Sequence, residues 1–85
     1  MQIYMQIAPP DNKAPKFCHL FLQQDMLGGW TLVRESGVQG HAGRLKHEHH
    51  AHREAAVEAL MRARDAQILR GYRVVFAQGE EGSFP

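Results

Sequence analysis

The chain has one cysteine, Cys18, among 85 residues, so neither an intramolecular disulfide nor a cysteine-based zinc cluster can form. No apolar run approaches the ~18 residues that a membrane-spanning helix needs. The segment from Met1 to Ala8 contains no lysine or arginine and only a short apolar stretch, unlike a signal peptide. From these absences we expect a cytoplasmic protein in a reducing compartment, with no membrane partner.

An excess of charge of either sign is also missing. Lys and Arg total 10 and Asp and Glu total 9, which gives a formal net charge of +1. Dedicated nucleic-acid-binding domains are usually more basic, so the total charge does not require such a partner. One face of a nearly neutral protein can still be positive, because charge is distributed unevenly over a surface. The arrangement of the basic residues therefore matters more than their number.

The size of the chain limits what it can do. A hydrophobic fraction of 44% is typical of a folded protein, and 85 residues fit a single domain spanning 1–85. Such a domain buries only about 60–65% of its unfolded surface, which leaves little room for a deep substrate pocket. We expect no enzyme activity, no cofactor and no small-molecule substrate.

Alternating polar and apolar residues predict five short strands separated by turns. They span 2–8, 17–24, 30–35, 44–50 and 72–76. The first is placed at the sheet edge, so 1–15 is interpreted as an edge strand and loop ahead of a core at about 17–76. The glycine-rich segment 36–43 is interpreted as a connection, and 78–85 as a loose tail.

One helix is predicted at about 53–70. Ala56, Leu60 and Ala63 recur at three- and four-residue steps, and Gly71 follows as a left-handed cap. His52 occupies the N-cap, where Ser, Thr, Asp or Asn is preferred. The predicted fold class is α+β, an antiparallel sheet of four to five strands with this helix packed across it.

Histidines offer the clearest candidate for chemistry, since five of the six lie between His41 and His52. On a strand, His47 and His49 share a face while His50 points away, so only half of a zinc shell is assembled. Cys18 and its neighbour His19 also point to opposite faces and cannot act as a catalytic pair. We therefore assign no catalytic and no metal-binding residues.

The order of motifs along the chain resembles the WGR domain, a small non-catalytic module. Trp30 matches its leading aromatic residue, and Gly37, Gly40 and Gly43 match its glycines in register. Lys46 matches its basic strand, and Gly71-Tyr72 matches its closing pair. The Trp-Gly-Arg triplet that names the family is here Ser36-Gly37-Val38, so only its glycine remains. The resemblance covers roughly 17–75.

The resemblance implies an antiparallel sheet with one helix and a role in binding DNA or neighbouring domains. Without the Trp and Arg side chains, we expect weak, salt-dependent binding of nucleic acid. The residues expected to contribute are Arg34, Gly37, Gly40, His41, Arg44 and Lys46.

Two other interpretations stay open. In the first, the module has changed its partner and binds a protein or a second copy of itself. The contact would be made through the exposed helix face or by strand pairing at 2–7. A third interpretation is a metal-dependent protein that uses the histidine-rich segment.

Overall fold

The structure, a computed structural model, describes residues 1–79 and contains a five-stranded antiparallel sheet with one helix, which confirms the predicted fold class. The elements in chain order are β1 (Gln2–Ile7), β2 (Lys16–Gln24), β3 (Trp30–Val38), β4 (Arg44–His50), α1 (Arg53–Leu69) and β5 (Arg73–Gln78). The strand order across the sheet is β4-β3-β2-β1-β5. In this part of the chain, no helix is long and apolar enough to cross a bilayer.

The hydrophobic core lies between one face of the sheet and α1. The sheet contributes Ile3, Met5, Leu20 and Leu32, each completely buried, and the helix contributes Leu60, which is also completely buried. Burying one such side chain fully contributes about 1.5–3 kcal/mol. The small residues Ala59 and Ala63 let the helix approach the sheet closely. The helix therefore covers one face of the sheet, which we call the helix side.

The prediction that β1 forms the sheet edge is wrong. β1 lies between β2 and β5, and both of its sides are paired. Its alternating pattern signals one buried face, and an interior strand of an antiparallel sheet has the same pattern as an edge strand. The edge strands are instead β4 and β5.

The segment predicted as a glycine-rich connection is partly strand. β3 continues through Ser36, Gly37 and Val38, which pair with the start of β2, so the loop covers only 39–43. A Cβ at Gly37 would lie 3.0 Å from the Cα of Gly43, so the two glycines allow the hairpin arms to come together. Gly40 has φ +86°, a backbone conformation that glycine adopts without strain because it has no side chain.

The helix ends where the sequence predicted. Gly71 has φ +101° directly after the last turn, and its amide donates to the carbonyl of Ile68. His52 has the extended backbone of an N-cap, but its imidazole makes no capping hydrogen bond. At the other terminus, Gln78 belongs to β5 rather than to the predicted tail, and 80–85 lie outside the described residues.

The turn between β2 and β3 is organised by Asp25. Its Oδ1 accepts hydrogen bonds from the amides of Leu27 at 3.0 Å and Gly29 at 2.9 Å. Its Oδ2 lies 2.6 Å from Nδ1 of His49 on β4. The pKa of Asp25 is lowered, mainly by the Gly29 amide, with further contributions from His49 and Leu27. One ionised carboxylate therefore joins β2, β3 and β4 at this end of the sheet.

Candidate nucleic-acid interface

Strand pairing brings the predicted basic residues to one side of the sheet. Arg34 lies directly opposite Lys46, and Ser36 lies opposite Arg44. Arg34 also pairs with the buried Leu20, and cross-strand partners share a face, so all three cations lie on the helix side.

The three cations differ in their surroundings. Arg34 lies 3.4 Å from the carboxylate of Glu48, so its charge is partly balanced. Arg44 and Lys46 are exposed and have no ion-pair partner within residues 1–79. An anionic ligand would therefore meet Arg44 and Lys46 without first displacing a carboxylate.

The segment Ser36-Gly37-Val38 lies in the wall of an open depression of about 650 Å³. Besides Ser36, Gly37 and Val38, its lining includes Lys16, His41, Arg44 and Tyr72. Three of the predicted site residues, Gly37, His41 and Arg44, are thus brought together here. Two cations and an imidazole beside exposed backbone suit a phosphate group.

Two neighbouring depressions extend this surface. One, of about 370 Å³, is lined by Lys16, Arg70 and Tyr72 together with the end of β1. The other, of about 490 Å³, is lined by Lys13, Lys16 and His41 with the loop after β1. Lys16 belongs to all three depressions, and together they form what we call the basic cleft. Its lining includes one acidic residue, Asp11, which lies 3.5 Å from Lys13.

Lys16 and Arg70 are the residues that the sequence analysis missed. Lys16 precedes the buried Cys18 and Leu20 at two-residue steps, so the strand pattern places it on the helix side. Its position beside Val38 depends on the pairing of β2 with β3, which the sequence does not give. Arg70 could have been found from the sequence, because it directly precedes Gly71-Tyr72, the pair that matches the end of the WGR pattern.

The other predicted residues lie elsewhere. Arg34, Gly40 and Lys46 do not line the basic cleft. Arg34 and Lys46 continue along the same side of the sheet, while Gly40 forms the tip of the hairpin. The positive charge of the cleft thus continues along β3 and β4 toward Lys46.

The histidines are dispersed as the strand pattern predicted. His47 and His49 face away from the helix side, and His50 lies on the helix side, 2.5 Å from the carboxylate of Glu48. Across residues 1–79, no three His, Cys, Asp or Glu side chains form a group able to hold a metal ion. Cys18 is buried, and burial raises the pKa of its thiol.

Comparisons with protein-family models, with curated proteins and with solved structures give no match to this chain.

Proposed function

We propose that the protein is a non-catalytic nucleic-acid-binding module that holds the DNA backbone in the basic cleft. The observation that carries this proposal is the meeting of Lys16 and Arg44 at Ser36-Gly37-Val38, with Arg70 in the neighbouring depression that Lys16 also lines. None of these three cations has an ion-pair partner in the described chain. The resemblance to WGR domains supports the same ligand. The single buried cysteine suits a reducing compartment, so we place this activity in the cytoplasm.

The two substituted positions of the triplet determine how such binding works. Ser36 and Val38 line the cleft but offer neither a ring for stacking nor a charge. Affinity then depends on cations that neutralise phosphates, here Lys16, Arg44 and Arg70. About three neutralised phosphates give a slope of roughly −3 for the logarithm of affinity against the logarithm of salt concentration.

The test is a pair of substitutions in the cleft. We expect Lys16→Gln with Arg44→Gln to weaken binding of a labelled nicked duplex by about tenfold or more at low salt, measured by fluorescence anisotropy. Arg62→Gln is the matched control, because Arg62 lies on the exposed helix and pairs with Glu58 at 3.4 Å. Equal affinities of the double variant and the wild type would refute the cleft as the DNA site.

A second candidate function is binding of a protein partner or of a second copy of the chain. It is favoured by exposed apolar side chains at the end of α1 and on the edge strand β5, namely Ile68, Leu69, Val74 and Val75. Exposed apolar residues on an unpaired strand favour association. Strand pairing through 2–7 is excluded in this fold, since β1 is paired on both sides.

Leu69, which is 89% exposed, provides the test of this second candidate. If the apolar surface binds a second copy, the wild type forms dimers as its concentration rises, and Leu69→Lys stays monomeric in light scattering. A wild type that remains monomeric at all concentrations would contradict self-association through this surface.

A further inference from the structure

The face of the sheet opposite α1, which we call the open face, is rich in aromatic side chains. Phe76 lies opposite Tyr4 in the ladder, and Tyr4 lies opposite His19, so a row of rings crosses β5, β1 and β2. Phe17 and Phe21 flank His19 on the same face of β2. No helix within residues 1–79 covers this face. Four of the seven Phe, Tyr and Trp residues of the chain thus lie on the open face.

The rings form a continuous cluster. The ring centroids of Tyr4 and Phe17 are 6.1 Å apart with planes at 12°. His19 joins them to Phe21, with centroid distances of 5.8 Å to Tyr4 and 5.0 Å to Phe21. The rings of Tyr4, Phe17, His19 and Phe21 are only partly buried, and Phe76 is 50% exposed. Such a surface offers several π faces to one extended ligand.

Amide side chains surround the rings. The side-chain oxygen of Gln2 accepts a hydrogen bond from His19 Nε2 at 2.9 Å, and its amide nitrogen donates to Gln78 at 3.1 Å. The hydroxyl of Tyr4 accepts from Gln6 at 3.4 Å and also from Gln39 of the hairpin loop. Rings and amides are the groups that stack on nucleobases and hydrogen-bond to their edges.

The open face has few large aliphatic side chains. Its large aliphatic side chains are Val33, which is buried, and Leu45, while the exposed aliphatic cluster lies at the end of α1 and on β5. The strands place two charged side chains on this face, Glu35 on β3 and Arg73 on β5, and these are of opposite sign. Stacking, rather than charge, therefore dominates what this face can bind.

The open face is continuous with the basic cleft through the β3–β4 hairpin. Phe17 packs against the hairpin glycines: a Cβ at Gly43 would lie 3.2 Å from its Cζ. The preceding residue, Lys16, points to the other side and lines the cleft. Likewise Gln39 reaches Tyr4 on the open face, while His41 of the same loop lines the cleft. One strand of nucleic acid can thus pass from phosphate contacts in the cleft to rings on the open face.

We infer that the open face binds unpaired bases of a single-stranded nucleic acid by stacking on Tyr4, Phe17, Phe21 and Phe76. This inference rests on the proposed function only for the phosphate contacts in the adjoining cleft. A duplex keeps its bases stacked inside the helix, so the open face contributes only where bases are unpaired.

The test compares three probes with the same protein: a twelve-residue oligothymidine, an abasic oligomer with the same number of phosphates, and a twelve-base-pair duplex. We expect the oligothymidine to bind at least about fivefold more tightly than the abasic oligomer, because only the former has bases to stack. Phe76→Ala, at a half-exposed position, should remove most of that difference and leave abasic binding unchanged. Met26→Ala removes an exposed apolar side chain of the turn between β2 and β3, outside the open face, and should change neither affinity.

The outcomes separate the two proposals. Equal affinities for oligothymidine and abasic oligomer overturn the stacking inference, even if Lys16→Gln with Arg44→Gln still weakens both. Loss of the oligothymidine preference in Phe76→Ala, with no effect of the cleft variant, supports stacking and refutes the cleft. Upfield shifts of the Tyr4 and Phe17 ring protons on adding oligothymidine would locate the bases directly, and unshifted rings would contradict the inference. Absence of oligothymidine binding at low salt also overturns it, and leaves the face to a protein partner.

Discussion

At the scale of single residues, Gly29 and Asp25 secure the turn that aligns β2, β3 and β4. Gly29 is buried, and a Cβ there would lie 2.6 Å from the carbonyl oxygen of His50 and 2.6 Å from the His49 ring. The backbone oxygen cannot move without shifting the end of β4. The sequence predicted the turn, but the need for glycine at this position comes from the pairing of β3 with β4.

We expect Gly29→Ala to lower the free energy of unfolding by about 1–3 kcal/mol, because the added methyl group has no space. Thermal unfolding followed by circular dichroism measures this change. Gln23→Ala, at an exposed position of the same hairpin, is the control and should change stability little. Equal melting temperatures for Gly29→Ala and the wild type would show that the close approach is absent in solution.

The lowered pKa of Asp25 predicts how stability depends on pH. A carboxyl whose native pKa lies below its ordinary value of 3.8 binds its proton less tightly in the folded than in the unfolded state. Its contribution to stability is complete above that value and is lost as the pH falls through the lowered native pKa. Asp25→Asn should therefore unfold more readily than the wild type at pH 7, and the difference should shrink toward pH 2. Chemical denaturation at both pH values checks this, and a difference that does not change with pH would contradict it.

At the scale of elements, α1 could be located closely from sequence, whereas the position of β1 could not. The helix has a periodicity and a glycine cap that are local signals. The place of β1 within the sheet depends on its pairing with β5, which is far away in the sequence. Even the nearest pair, Gln6 with Arg73, is separated by 66 residues. The residues of the basic cleft show the same limit. Gly37, His41 and Arg44 are close in sequence and were predicted together, whereas Lys16 lies on β2 and reaches the cleft only through strand pairing.

The start of α1 gives a test at the element scale. His52 has φ −122° and ψ 144°, the backbone of an N-cap, without a side-chain hydrogen bond to the helix amides. His52→Ser should stabilise the protein by about 0.5–1 kcal/mol, because its hydroxyl can accept a hydrogen bond from the first turn. His52→Ala, which cannot cap, is the matched comparison in urea unfolding. If the Ser and Ala variants are equally stable, the N-cap geometry described here is not kept in solution.

At the scale of the whole molecule, the sheet separates two surfaces of different chemistry. The helix side carries the basic cleft, and the open face carries the aromatic cluster. The hairpin joining β3 and β4 borders both. The near-zero net charge gives no information about either surface. Each surface arises because neighbouring residues of a strand point to opposite faces of the sheet.

The salt dependence of nicked-duplex affinity tests whether the basic cleft binds the DNA backbone. The wild type should show a log–log slope of roughly −3, and Lys16→Gln with Arg44→Gln should reduce that slope by about two, one for each cation removed. A wild type that binds no DNA at low salt, or a double variant with an unchanged slope, would contradict the account.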